Sequence, residues 1–327
     1  MFSITKLFTI LITLGVCVST QAQSALTTIY PTKPIRIIVP FPAGGTSDVL
    51  ARLIGQKLGD AWGQIVLVDN KPGASGNLGA EMVAHANPDG YTLILMDVGT
   101  LAISQSLYTN LTFNVLQDFA PITMVAYSPH LLVASNKTTF NTTAELIAFA
   151  KKNPGKLNFA SAAGSGSANH LAGVMFAKQA GIEWAYIPYK GGAQAITDLG
   201  SGQIDVTFNG MTATYPHVKS GLIKLLAISS SKRLEVLPNN PTVAETLPGF
   251  LTGSWQGILA PTGTPPQIVE KLNQQILKII KTPEVKEALK TAGADAATTT
   301  PQEFGRWMQT EVQRSAKVIK DNNINLD

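Results

Sequence analysis

Pro40-Phe41-Pro42-Ala43-Gly44-Gly45-Thr46-Ser47-Asp48 carries the first sign of chemistry in this chain. Gly44 and Gly45 let a backbone approach a ligand closely. A helix opening between Thr46 and Asp48 would add unpaired N–H groups and the positive end of its dipole. Together these suit an anion, and a small carboxylate is the natural guest. The plainer reading is an ordinary strand–helix connection with Ser47 or Asp48 as N-cap and nothing bound. An acid beside an anion would repel it, so the residue types alone give Asp48 a capping role. Two more glycine turns share this character, Ala163-Gly164-Ser165-Gly166-Ser167 and Lys190-Gly191-Gly192-Ala193.

Catalytic patterns are scarce. No Gly-x-Ser-x-Gly elbow surrounds Ser75, Ser165 or Ser167, and there is no phosphate loop of the Walker type. Histidines 85, 130, 170 and 217 are scattered without metal-ligand spacing, so neither a metal nor another cofactor is expected. His170, opening a helix, could cap it or touch a ligand, although such a residue is more often structural. Lys190 after Tyr189 could be a catalytic amine or an anion partner, although a solvated lysine at a loop edge is the commoner case. Asp198 and Asp205 have no carboxylate partner at a spacing useful for acid–base work.

The elements that must hold these turns alternate. Extended runs at 35–40, 65–68, 91–96, 119–127, 131–135, 157–161, 184–189, 205–209 and 225–229 are interleaved with helical patterns at 48–58, 78–85, 170–180 and 193–199. Thr142-Thr143-Ala144-Glu145 is a capping box that opens a helix ending near Asn153-Pro154-Gly155. The last third is mostly helical, at 267–281, 284–292 and 302–320, each helix introduced by proline. Repeated strand–helix units imply parallel sheets covered by helices, and the length implies two α/β lobes. Ligands of such sheets lie beyond the carboxyl ends of the strands, which is where the three glycine turns fall. The first belongs to one lobe and the other two to the second, so a cleft that closes on a small molecule is expected between them. The crossings between lobes are expected near 122–127 and 225–231.

Composition narrows the setting. The chain has 327 residues, 45% of them hydrophobic and 14% charged, as in a globular protein. Lysine and arginine number 25 against 21 aspartate and glutamate, and no basic stripe is interleaved with aromatics, so nucleic acid is not an expected partner. Lys6 precedes an apolar run from Leu7 to Val18, and Thr20-Gln21-Ala22 supplies small residues for cleavage. Residues 1–22 therefore read as a secretory signal peptide, too short in its apolar core to span a membrane. Its removal would also remove Cys17, the only cysteine, leaving a soluble exported chain without thiol chemistry.

At this point the residues add up to a family. The chain resembles the substrate-binding receptors of the tripartite tricarboxylate transporters, also called Bug-type receptors, from end to end of its mature length. The resemblance lies in Tyr30-Pro31-Thr32-Lys33-Pro34-Ile35-Arg36, Val39-Pro40-Phe41-Pro42-Ala43-Gly44-Gly45 with Asp48, and Asn70-Lys71-Pro72-Gly73-Ala74-Ser75-Gly76-Asn77. It continues through Pro88-Asp89-Gly90-Tyr91-Thr92-Leu93, His170-Leu171-Ala172-Gly173 and Ile187-Pro188-Tyr189-Lys190-Gly191. It ends in Pro241-Thr242-Val243-Ala244-Glu245 and Trp255-Gln256-Gly257-Ile258-Leu259-Ala260-Pro261. The order and spacing of these segments are what make the resemblance specific.

The resemblance implies a two-lobed periplasmic binding protein of type II fold, with the ligand cleft between lobes formed by 31–127 with 236–327 and by 128–235. It implies capture of a small carboxylate (a di- or tricarboxylate, an acidic amino acid or an aromatic acid), delivered to the membrane components of a tripartite transporter by a monomer in the periplasm. The turn formed by Phe41, Ala43, Gly44, Gly45, Thr46, Ser47 and Asp48 would hold the carboxylate through backbone amides and ordered waters. Ser161, Ala163, Gly164, Ser165, Ser167 and His170, with Tyr189, Lys190 and Gly191, would contribute from the second lobe. Two departures stand out: Ala162-Ala163 occurs where one alanine is common, and Val174 occurs where a glutamate often follows His-Leu-Ala-Gly. The alternatives from other classes are a secreted enzyme acting on a carboxylate in the same cleft and a ligand sensor for a signalling partner.

Overall fold

The computed structural model describes residues 30–291, 293–321 and 324. The expected signal peptide, Cys17 and the last residue of the helix expected at 284–292 lie outside them. In chain order the elements are β1 (Ile35–Val39), α1 (Thr46–Trp62), β2 (Val66–Asn70), α2 (Asn77–Ala84), β3 (Thr92–Asp97), α3 (Val98–Leu107), β4 (Phe119–Ser135) and α4 (Thr143–Lys152). There follow β5 (Asn158–Ser161), α5 (Ala168–Ala180), β6 (Ala185–Pro188), α6 (Gly192–Ser201), β7 (Val206–Gly210), α7 (Met211–Lys219) and β8 (Ile223–Ile228). The chain ends with β9 (Gly253–Pro261), α8 (Pro266–Lys281), α9 (Pro283–Thr291), β10 (Asp295–Ala296) and α10 (Pro301–Asp321).

The strands run in the order β2-β1-β3-β9-β4-β7-β5-β6, with β8 and β10 paired to β4 off that path. Pairing is parallel within each outer group, β2-β1-β3 and β7-β5-β6, as the strand–helix alternation implies. It turns antiparallel where β9 and β4 join the groups. The extended runs at 119–127 and 131–135 are one strand of 17 residues. Ser128-Pro129-His130 does not break it, because Pro129 sits opposite Gly253 at the end of the β9 pairing.

Residues 119–129 of β4 pair with β9, and residues 130–134 pair with β7, so the chain passes between the two halves at 128–130. The expected crossing at 225–231 is displaced. β8 stays within the second half, pairing with Leu131–Ser135, and the return runs through β9 after the Thr252 N–H bonds the Ser229 carbonyl. Four elements were not expected from sequence, α3, α7, β9 and β10, and the first three border the cleft described below.

Burial follows strand alternation. Leu132, Ala134, Phe159, Val206 and Phe208 enter one core of the second half, where Phe159 stacks on Trp184 and Phe176 meets Phe250 edge-on. Leu131, Val133 and Ala160 point to the other face, against Ile196, Met211 and Ile228. The first half has its own core, built from β1, β3, Leu50, Ile54, Ile258, Leu272 and Phe304. Val174, half-buried, packs against Ile103, Leu171 and Ile319 at the edge of a small apolar cluster.

Candidate functional site

Where the halves meet, Phe41, Gly45, Thr46, Ser47, Asp97 and Thr100 face Ala162, Ala163, Asn169, Gly192, Asn209 and Gly210 across a cleft. His130, Ser254 and Gln256 from the joining strands form its floor, and the space among these residues, open mouth included, is about 460 Å³. Strand ends place these residues: Asp97 closes β3, Asn209 and Gly210 close β7, and the first turn follows β1.

Three helices open at the cleft with glycine as N-cap and no capping side chain: α1 after Gly45, α6 after Gly191 and α7 after Gly210. Their first-turn N–H groups have no partner within the helix and their dipoles point into the gap. Two buried side-chain nitrogens that line the cleft also have no hydrogen-bond partner, Nδ2 of Asn209 and Nε2 of His130. Asn209 is oriented by its Oδ1, which accepts from Asn169 Nδ2 at 3.4 Å. Burial pushes the His130 imidazole down to about 3, so the ring is neutral.

The floor is a hydrogen-bonded chain. Ser47 Oγ donates to Gln256 Oε1 at 2.7 Å, and Gln256 Nε2 donates to Ser254 Oγ. Asp97 caps α3, its Oδ1 accepting from Gly99 N at 3.0 Å and from Trp255 N at 3.2 Å, while its Oδ2 accepts from Thr100 Oγ1 at 3.3 Å. Burial pushes the Asp97 carboxyl up to about 6, outweighing the donors of Gly99, Trp255, Ser254 and Thr100 that favour the anion. Thr100 Oγ1 in turn accepts from Ala168 N at 3.1 Å, tying α3 to the start of α5 in the other half.

Of the residues expected from sequence, Phe41, Gly45, Thr46, Ser47 and Ala163 line the cleft. Gly44 and Ala43 are exposed beside it; Gly44 supplies the left-handed turn at φ +82°, whereas Gly45 is extended and its hydrogen is simply space. Asp48 does not take the expected N-cap position, because Gly45 holds it. It sits in the first turn of α1, buried, and accepts from Gly44 N at 2.9 Å, from Arg52 and from Asn70 Nδ2. Burial acts to raise its carboxyl, but Arg52, Gly44 and Asn70 together hold it below the usual range.

The Gly/Ser loop is placed differently. Ser167 caps α5, donating to Gly164 O at 2.8 Å and accepting from His170 N at 3.3 Å. His170 Nδ1 accepts from Gly166 N at 3.0 Å, and its ring meets Tyr186 edge-on. Ser165 O accepts from Ser75 Oγ at 2.7 Å and from Tyr108 OH at 3.0 Å, so the loop clasps the opposite half. Gly164, Ser165, Tyr189 and Lys190 border a separate hollow with Ser75 and Tyr108. The Tyr189 hydroxyl donates to Asp198 Oδ2 at 2.7 Å. Ser161 ends β5, buried, with its Oγ unpartnered, and Gly191 packs on Pro42.

Asp97, Thr100, His130, Ala162, Asn169, Asn209, Gly210, Ser254 and Gln256 were missed as site residues, and Gly192 was named only within its glycine turn. A signal existed for two of them: asking which polar residue ends each apolar strand run finds Asp97 and Asn209. Among the described residues no group of three or more His, Cys, Asp or Glu could hold a metal, and no helix is long and apolar enough to cross a membrane.

Comparison with known proteins agrees with this geometry. Residues 50–324 match the model of the tripartite tricarboxylate transporter family receptor. Protein BugT of Bordetella pertussis (strain Tohama I) is 38% identical over 299 residues, 91% of each chain. The periplasmic binding protein BugD superposes with a TM-score of 0.86 at 35% identity, over 90% of this chain and 99% of that one. Rpa4515 of R. palustris, solved with adipate, superposes with a TM-score of 0.88 at 35% identity, over 91% and 99%.

Proposed function

The chain belongs to the tripartite tricarboxylate transporter receptor family, and we propose that it captures a small carboxylate in the periplasm and hands it to the membrane components of a tripartite transporter. Its family and structural neighbours are solute-binding receptors, and this chain is a receptor and not an enzyme. The observation that carries the ligand class is the convergence of three uncapped helix N-termini, after Gly45, Gly191 and Gly210, on one cleft. Each contributes roughly half a positive charge. They favour an anion where no lysine or arginine lines the cleft. Asn209 Nδ2 adds a donor from the far side. The adipate of Rpa4515 is a ligand of the same chemistry.

In this reading the lobes shut on the ligand, with the expected boundary at 235/236 moved to 252/253 because Val243, Leu247 and Phe250 pack in the core of the second half: 31–127 with 253–327, and 128–252. Close contacts between the halves support that. A methyl group on Gly210 would come within 2.5 Å of Thr46, one on Gly191 within 2.5 Å of Pro42, and one on Gly164 within 2.6 Å of Ser75. The exported monomer would begin near Gln23.

Thermal-shift screening of mono-, di- and tricarboxylates, acidic amino acids and aromatic acids tests the ligand class. Ligand at a hundredfold excess over Kd adds about 2.7 kcal/mol of stability. Stabilisation by at least one carboxylate, recovered chemically unchanged, is the expected result. A folded protein that none of them stabilises would sink the reading.

A further inference from the structure

We propose that the carboxylate taken by this cleft carries a hydrogen-bond donor, a hydroxyl or an ammonium group on the carbon next to a carboxylate, and that Asp97 and Ser47 Oγ read that donor. The inference rests on the carboxylate reading above and narrows it. The two sides of the cleft offer opposite chemistry. The uncapped helix ends and Asn209 Nδ2 offer donors. The floor offers acceptors.

Ser47 has committed its proton to Gln256 Oε1, so what its hydroxyl has left is a lone pair. Gln256 commits one N–H of Nε2 to Ser254 Oγ, and the Ser254 hydroxyl favours the anionic form of Asp97. The run of donations therefore ends on a carboxylate. Asp97 is the one acidic side chain among the cleft-lining residues, and no basic side chain there balances it.

Capping explains part of Asp97. Oδ1 accepts two backbone N–H groups, from Gly99 and Trp255, which fix the carboxyl plane and close α3. Asparagine, serine or threonine would cap as well, so the cap does not account for a second, charged oxygen at the cleft. Oδ2 rests on hydroxyls that can rotate, and its bond from Thr100 is long at 3.3 Å. A plain dicarboxylate would set its own charge against that oxygen with no proton or cation between them, and like charges in a dry site repel strongly. A ligand hydroxyl or ammonium placed between them removes the conflict. Leaving Asp97 without such a partner as the cleft closes penalises the wrong ligand more than a few missing apolar contacts would.

Calorimetry at pH 7.5 on matched sets decides the matter: succinate, malate and aspartate; glutarate, 2-hydroxyglutarate and glutamate; propionate, lactate and alanine. In at least one set the hydroxyl or amino member should bind the unaltered protein at least tenfold more tightly than the plain acid. Preference for the amino over the hydroxyl member identifies an ammonium reader, and the reverse a hydroxyl reader. Asp97→Asn keeps a capping oxygen and should shrink that preference to within about threefold, mainly by improving the plain acid. Plain acids binding the unaltered protein as tightly as their partners would overturn the inference, and so would an unchanged preference in a folded Asp97→Asn. The unaltered protein's ratio decides by itself if the variant does not fold. Binding by none of the acids would remove the carboxylate reading itself, which is a different failure.

Discussion

The turn between β1 and α1 and the loop between β5 and α5 use similar residues for opposite ends. Both set glycines and a serine ahead of a helix, and both lie at the carboxyl end of a parallel strand. In the first, the N-cap is Gly45, and only Gly44 N is satisfied locally, by Asp48. In the second, Ser167 caps the helix, His170 takes Gly166 N, and Ser165 O is bonded by Ser75 and Tyr108. One turn leaves its backbone open, and the other spends it on itself and on the opposite half. Glycine content does not distinguish a binding turn from a clasp; the fate of each N–H and C=O does.

Replacing Gly45 with valine should break this comparison most severely. Its extended backbone (φ −78°, ψ 166°) accepts a side chain without strain, and an added Cβ meets nothing nearer than Pro42 O at 3.6 Å. The new side chain enters the cleft and covers the open amides. Carboxylate affinity should fall about a hundredfold or more, roughly 2.7 kcal/mol, with little change in Tm. Calorimetry on the folded variant checks it, and unchanged affinity would show that the ligand sits elsewhere.

Gly191→Ala comes next. Its Cβ would meet Pro42 Cδ at 2.5 Å in the opposite half. The halves then cannot approach fully, so affinity should drop about tenfold, near 1.4 kcal/mol. Small-angle scattering should show the liganded variant with a larger radius of gyration than the liganded parent. Equal radii with equal affinities would mean that this contact plays no part in closure.

Ser167→Ala should reverse the pattern, costing stability and sparing affinity. Loss of the cap is worth about 1 kcal/mol. The carboxylate Kd should change less than threefold, because Ser167 turns its hydroxyl to Gly164 O and His170 N. A large loss of affinity without loss of stability would return the second loop to the binding surface.

The smallest effect is a pH dependence confined to the second loop. His170 Nδ1 accepts from Gly166 N only while the ring is neutral, and burial lowers its pKa in the folded state. A base with a depressed folded pKa contributes stability that is complete above its unfolded value of about 6.5 and declines as pH falls below it. His170→Asn keeps an acceptor that does not titrate. The parent should therefore lose more stability than His170→Asn between pH 7.5 and 5, by about 1 kcal/mol or less. Parallel curves from thermal melts would show that this ring does not titrate against folding.

How much of this was legible in the sequence depends on how local each signal is. The β1–α1 turn and the three proline-led C-terminal helices are written in neighbouring residues, and all were read within a few positions. The Thr142 cap was read too, although Glu145 reaches back to Asn141 N and not to Thr142 N. Helix α3 was missed because Val98-Gly99-Thr100-Leu101-Ala102 is buried all round and shows no amphipathic stripe. β9 was missed as a strand because Gly253 and Gly257 interrupt it, and its reason for being extended is pairing with β3 and β4. The floor of the site was the least legible part. Ser47 and Gln256 lie 209 residues apart, and no local pattern joins them.

The clasp at Ser165 has a consequence for timing. Ser75 reaches it from a left-handed backbone, φ +54°, and Tyr108 adds a second bond to the same carbonyl. Neither bond passes through the cleft, so the shut form holds part of its free energy independently of any ligand. Such a contact lowers the opening rate for incoming and outgoing solute alike. It sets a ceiling on association and lengthens residence. On the role proposed above, release would require only that this one carbonyl's two hydrogen bonds break, without touching the groups that grip the solute.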